Sequence, residues 1–204
     1  RLHKVPSRPE RPEQPAVAAL RRLDPAGRAP VLHGSTVATN ALLERKGART
    51  AVVLTAGFED LLALGRGERA ELYALEPAPR SLLVDPDAGL CFGLQERLAA
   101  DGSVLLAPGA AELGALCRAI VDREAEAVAV CLLFSWLDDA HERAVQRALA
   151  AFGAPRFVSL SSQVLPTMRE VERASTTVAN ATLMPLMAGY LRRRVDELLA
   201  SLPA

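Results

Sequence analysis

The chain has 204 residues, half of them hydrophobic, and its 24 basic and 24 acidic side chains cancel. That length is enough to bury one core, and zero net charge with no basic stretch interleaved with aromatics leaves no electrostatic footprint for nucleic acid. The longest apolar run, Ala127 to Phe134, is far short of the roughly 20 residues of a membrane helix, and the scattered Cys91, Cys117 and Cys131 form no CxxC pair, so reduced thiols and a cytoplasmic setting are expected.

The opening RLHKVPSRPERPEQP is rich in proline and charge and reads as an extended lead-in, followed by a short helix from about Ala16 to Leu23. A start on Arg1 instead of Met suggests a fragment of a longer protein. PVLHGST reads as a short buried strand ending in a small-residue turn, and VATNALLERKG as a helix closed by Gly47. TAVVLT, from Thr50 to Thr55, is β-branched and predicts a strand, and AGFEDLLALGRG a turn, a short helix and a glycine-flanked exit. Glu68 to Gly89 has three prolines after Glu76 and no sustained period, which predicts a long surface loop.

Phe92, Leu94 and Leu98 alternate with polar or small residues, and Asp101-Gly102 precedes Val104 to Leu106, which predicts a small antiparallel hairpin beside the main sheet. Leu113, Leu116, Cys117, Ile120 and Val121 recur at helical spacing, and the continuously apolar AVAVCLLF predicts a central strand. Asp138 and Asp139 suit the start of a helix that turns Val145, Leu149 and Phe152 inward and stops at Gly153. RFVSL is a further strand. Two helices are expected to finish the chain, one from about Thr167 to Ala181 and one with Leu183, Leu186, Met187, Tyr190, Leu191, Val195, Leu198 and Leu199 on its apolar face. The alternation predicts an α/β fold, a mainly parallel sheet flanked by helices, in one unit spanning residues 1–204.

Two stretches could carry chemistry. At the HGST turn, Gly34, Ser35 and Thr36 would present backbone N–H groups and hydroxyls at a helix start, with Asn40 one turn on; either an anion docks there or the residues form an ordinary helix cap. In TMREVERASTTVANATL, Arg169, Arg173, Thr176 and Asn180 fall at i, i+4, i+7 and i+11, so they share one helix face, which could be solvated or could grip a phosphate or carboxylate. His3, His33 and His141 have no partners at a metal-ligand spacing, so no metal site is expected, and no GxSxG elbow surrounds Ser159, Ser161 or Ser162. No catalytic residue is nominated.

HGSTVATNALLERKGARTAVVLTAGFEDLLALGR resembles the N-terminal region of the hydantoinase A/5-oxoprolinase family, which carries a similar HGTTVATNALLERKGA stretch; Ser35 replaces its Thr. VSLSSQVLPTMREVERASTTVANATLMPLMAGYL is similar to the family's SLSSEVLP-REYER-STTVVNAYL pattern. The resemblance runs from Pro30 to Leu191 and weakens from Leu72 to Leu106. It implies an actin-like, ribonuclease H-related ATPase architecture that uses ATP, with Mg, to phosphorylate the amide oxygen of a cyclic amide before ring opening. It also implies a hydantoinase B-type partner subunit or domain, and an upstream glycine-rich phosphate-binding strand that this sequence lacks. On that reading Gly34, Ser35, Thr36 and Asn40 contact nucleotide, and Arg169, Arg173, Thr176 and Asn180 contact substrate. Two alternatives remain: a ketone carboxylase subunit on the same scaffold, and a structural or subunit-docking domain without chemistry of its own.

Overall fold

The computed structural model describes residues 3–6, 8, 13–24, 32, 34–68, 73–76, 82–84, 88–153, 155 and 157–199. In chain order its elements are α1 (Glu13–Leu23), α2 (Val37–Leu43), β1 (Thr50–Thr55), α3 (Leu61–Leu64), β2 (Cys91–Leu94), β3 (Arg97–Leu98), β4 (Val104–Leu106), α4 (Ala110–Asp122), β5 (Ala127–Cys131), α5 (Ala140–Phe152), β6 (Phe157–Leu160), α6 (Ser161–Val164) and α7 (Glu170–Leu199).

Four strands pair in parallel in the order β2-β1-β5-β6, with Val52 opposite Cys91 and Ala129, and Val128 opposite Val158. Every residue of β1 and β5 is buried, as expected for inner parallel strands that are apolar throughout and covered on both faces. One layer is α4 and α5, which pack on each other and on β2, β5 and β6; the other is α7, which lies along β5, β6 and β1 and carries α1, α2, α3 and α6 on its flank. The predicted parallel sheet between helices is therefore present, and β3 and β4 form the small antiparallel pair.

Several local expectations change. Leu32 and Gly34 to Thr36 carry no strand, and Pro30, Val31 and His33 of that predicted strand lie outside the described residues. The helix that follows stops at Leu43, four residues before Gly47. Arg45 takes a left-handed φ of 55°, Lys46 N–H bonds the Ala41 carbonyl at 2.8 Å and Arg45 N–H the Leu42 carbonyl at 3.2 Å, so the paired bonds of a Schellman closure form without a glycine. Gly47 serves packing instead: a Cβ there would collide with the Thr182 methyl on α7. Phe92 to Leu94, expected in the hairpin, belong to β2, an edge strand of the main sheet, because the chain breaks at Gln95-Glu96 before β3 begins. Phe152 is 45% exposed, while Val145 and Leu149 are fully buried as expected. Most of the predicted loop from Glu68 to Gly89 lies outside the described residues.

The largest change is at the end of the chain, where a single helix of 30 residues replaces two, with Pro185 inside it. Proline removes one donor from the ladder. At the same place the helix looks outward: the Thr182 carbonyl accepts Ala48 N–H at 2.9 Å, and the Thr182 hydroxyl lies 3.0 Å from that of Thr50. From Glu170 to Arg193 the buried positions of α7 are Arg173, Ala174, Thr177, Val178, Ala181, Thr182 and Tyr190, whereas Leu186 and Leu191 of the expected apolar face are exposed. Since Arg173 meets the residue after β5 and Thr182 meets the first residue of β1, α7 runs antiparallel to the strands, starting at their carboxyl edge.

Candidate functional site

From β1 the chain leaves outward to the neighbouring edge strand β2, and from β5 it leaves in the other direction to β6. Parallel sheets open a crevice where the direction of winding reverses, outside the carboxyl ends of the two strands concerned. A cleft of ≈ 890 Å³ lies at that point, between β1 and β5. Phe58, Leu61 and Arg66 come from the segment after β1, Leu133, Phe134 and Trp136 from the loop after β5, and Met168 to Glu172 from the entry to α7.

Arg97 also lines the cleft, and its guanidinium lies 5.3 Å from the centre of the Phe58 ring, where the ring face attracts a cation. Arg66 donates to Glu172 through Nε at 2.7 Å and through a second nitrogen, and this bond holds the Glu172 carboxyl below its ordinary pKa. Arg169 is exposed, its carbonyl accepts Arg173 N–H at 2.9 Å, and its side chain makes no hydrogen bond or ion pair among the described residues. The loop after β5 holds Phe134 at φ 58°, a left-handed conformation that costs energy in a bulky residue. Trp136 Nε1 is buried without a partner among the described residues.

Beneath the cleft lies a layer of buried polar groups. Glu142, fully buried in the first turn of α5, accepts Leu132 N–H at 3.1 Å and the Ser161 hydroxyl at 2.6 Å on one oxygen. Its other oxygen accepts Ser162 N–H at 3.0 Å and the Ser162 hydroxyl at 2.7 Å. Arg173, fully buried on α7, donates to the Leu132 carbonyl at 2.7 Å and to the Thr167 carbonyl at 3.1 Å. Beside them the Thr55 hydroxyl takes Leu133 N–H at 3.0 Å and donates to Glu96, whose other oxygen lies 2.7 Å from His141 Nδ1. Burial pushes the Cys131 thiol above its ordinary pKa, so it stays protonated and inert at neutral pH.

The eight residues nominated from sequence are dispersed. Gly34, Ser35 and Thr36 are exposed before α2, where Ser35 Oγ accepts Val37 N–H at 3.2 Å and Thr36 makes no side-chain cap; neither they nor the exposed Asn40 line the cleft. Arg169, Arg173, Thr176 and Asn180 do not share one open face. Arg169 precedes the helix and borders the cleft, Arg173 points into the core, and Thr176 lines an adjoining depression with Arg66 and Glu172. Asn180 donates to the Ser159 hydroxyl at 2.8 Å. The expectation failed because Arg169 lies before the helix, while Arg173, inside it, falls on its buried side with Ala174, Thr177 and Val178. Glu96, His141 and Glu142 were missed. Glu142 had a readable signal, since it sits at i−3 and i−7 from the buried Val145 and Leu149, on the apolar face of α5.

Comparison with known proteins agrees with this architecture. The chain is 35% identical over 173 residues to 5-oxoprolinase 1 of Arabidopsis thaliana, covering 78% of the chain and 14% of that protein. It is 31% identical to caprolactamase subunit alpha of Pseudomonas jessenii, covering 100% of the chain and 30% of the relative. The crystal structure of the ATP-dependent caprolactamase from Pseudomonas jessenii superposes with a TM-score of 0.83 at 30% identity, over 98% of this chain and 30% of that one. Nucleotide-free acetone carboxylase superposes with a TM-score of 0.76 at 19% identity, a likeness of fold alone, over 95% of this chain and 31% of that one. The chain spans between 14% and 30% of the length of the curated relatives it matches. With residues 1–153 matching the family described as hydantoinase/oxoprolinase N-terminal region, the chain belongs to the hydantoinase/oxoprolinase family.

Proposed function

We propose that the chain is part of an ATP-dependent, cytoplasmic enzyme that opens a cyclic amide, and that the cleft between β1 and β5 receives an anionic part of its substrate or nucleotide. The observation that carries this reading is the cleft itself: Arg66, Arg97 and Arg169 border it at the reversal of winding, beside the aromatic Phe58, Phe134 and Trp136. Guanidinium groups suit phosphate and carboxylate oxygens because their planar forks match them. Fold likeness to an ATP-dependent caprolactamase supports the energy source.

ATP supplies a phosphoryl group that, placed on an amide oxygen, weakens the resonance that makes the carbonyl a poor electrophile and creates a leaving group. Arg169 and Arg97 would orient the anion, and the aromatic walls would exclude water. Thr176, in the depression of ≈ 600 Å³ that shares Arg66 and Glu172 with the cleft, would extend the substrate contacts. Gly34, Ser35, Thr36 and Asn40 would meet nucleotide from outside the cleft, within an actin-like ATPase completed by the rest of the longer protein and a hydantoinase B-type partner. Among the described residues no three acidic, histidine or cysteine side chains group as metal ligands, so magnesium would arrive with the nucleotide phosphates.

The test is phosphate release by the full-length enzyme with its partner, offered ATP with 5-oxoproline, hydantoins, lactams or ketones. Stimulation by a cyclic amide is expected. Stimulation by a ketone with bicarbonate alone would give the site to a carboxylase, and none by any of them would leave the region a docking domain.

A further inference from the structure

Arg173 and Glu142 approach one residue, Leu132, from opposite layers of the fold. Glu142 on α5 takes its N–H and Arg173 on α7 donates to its carbonyl, so a negative and a positive group sit at the two complementary poles of the same stretch of backbone. Leu132 is the first residue after β5 and leads directly into Leu133, Phe134 and Trp136, one wall of the cleft. The second nitrogen of Arg173 holds the Thr167 carbonyl, and Thr167 leads directly into Met168 and Arg169, the facing wall. Glu142 also ties the Leu132 segment to the start of α6, which leads toward Thr167, through Ser161 and Ser162, and the Ser161 hydroxyl lies 3.0 Å from that of Ser135, between Phe134 and Trp136.

We propose that Arg173 and Glu142 are positioning residues, which set the separation of the two cleft walls by clamping Leu132 between the helical layers and tying it to Thr167. Stability alone gives no reason for charges here, since well-packed apolar residues usually serve a core as well as buried ions do. A planar fork that reaches two carbonyls from two different segments does what an apolar side chain cannot: it fixes a distance. The left-handed Phe134 needs such over-determined surroundings to persist. The importance of the clamp for ligands rests on the cleft reading above; its geometry does not.

Trp136 is the sole tryptophan of the chain and stands in the first wall, so its emission reports that wall directly. Emission maximum and acrylamide quenching would be compared for wild type, Arg173→Lys and Glu142→Gln well below their melting transitions, with far-ultraviolet circular dichroism confirming an intact fold. A red shift and a larger quenching constant are expected in both variants, because Lys cannot bond both carbonyls and Gln places a donor against donors. Folded variants with wild-type emission and quenching would overturn the proposal. Should Arg173→Lys not fold, Ser161→Ala removes one bond to Glu142 and the contact to Ser135, and its emission decides in the same way. Shifted emission with unchanged ATP and substrate constants in the full-length enzyme would sink the cleft as the ligand site and leave the clamp standing.

Discussion

At the carboxyl edge of the sheet, the segments that leave β1, β5 and β6 are fastened by charges and hydroxyls: Glu142, Arg173, Glu96, Thr55 and Ser161 are all buried there. At the amino edge, the segment that enters β1 is fastened by close approach, with Gly47 against the Thr182 methyl and Ala48 and Thr50 bonded to Thr182. The difference follows from what each edge must hold. Irregular loops bring peptide groups that no ladder satisfies, so a buried loop needs polar partners, whereas a chain entering a strand needs only room and alignment. A fold that shapes a cleft with its carboxyl-edge loops therefore concentrates buried charge at that edge.

The sharpest way to break this comparison is to remove the acceptor at the carboxyl edge. Glu142→Ala leaves the N–H groups of Leu132 and Ser162 and two serine hydroxyls without their partner, at an expected cost of about 3 to 5 kcal/mol. In a chain of this size that is a fall in Tm of about 10 °C, readable by calorimetry. A fall no larger than that of an average surface substitution would mean the polar layer is incidental.

At the amino edge the expected loss is smaller and steric. Gly47→Ala should cost about 1 to 3 kcal/mol, because the added methyl meets Thr182. Adding Thr182→Ser removes the obstructing methyl and keeps the hydroxyl that faces Thr50, so urea titration of the double variant should recover about 1 kcal/mol through coupling. Strict additivity would deny the contact.

Arg169→Ala should leave the melting curve unchanged and weaken binding of ATP or a substrate carboxylate to the full-length enzyme about tenfold, the worth of one charge-assisted hydrogen bond. The smallest effect lies on the exposed side of the first turn of α5. Arg143 bonds Asp139 at the start of α5 and holds its carboxyl below the ordinary range. A depressed carboxylate pKa contributes stability above the unfolded value of about 3.9 and loses it as pH falls through the folded value. Asp139→Asn should thus be slightly less stable than wild type near neutrality and equal to it in strong acid, a gap that salt narrows because the pair is exposed.

The layered fold was legible because inner parallel strands announce themselves as unbroken apolar runs: β1 was read to the residue, and β5 from its first residue though three residues too long, while the edge strand β6 was read within one residue. What stayed hidden depended on contacts between distant residues. Gly47 looks like a helix stop, and only Thr182 reveals it as a packing position. The two helices expected on either side of Thr182 are one helix, which runs on through Pro185. The cleft was half legible: of the residues nominated on one pattern, Arg169 borders it from before α7, while Arg173, inside the helix, lies on its buried side. Glu96 and His141 gave no signal, since their meeting joins a loop after β2 to the start of α5 across 45 residues.

The hydroxyl contact between Thr50 and Thr182 spans 132 positions, and the backbone bond from Ala48 lands on the same threonine. Chain closure over such a distance is slow, and it must await the synthesis of α7. β1 is thus made well before its entrance can be sealed, so during translation its amino edge stays open to solvent and to chaperones until α7 emerges. Hydrogen exchange would register this order as late protection of the Ala48 amide, well after the amides between β5 and β6 have closed.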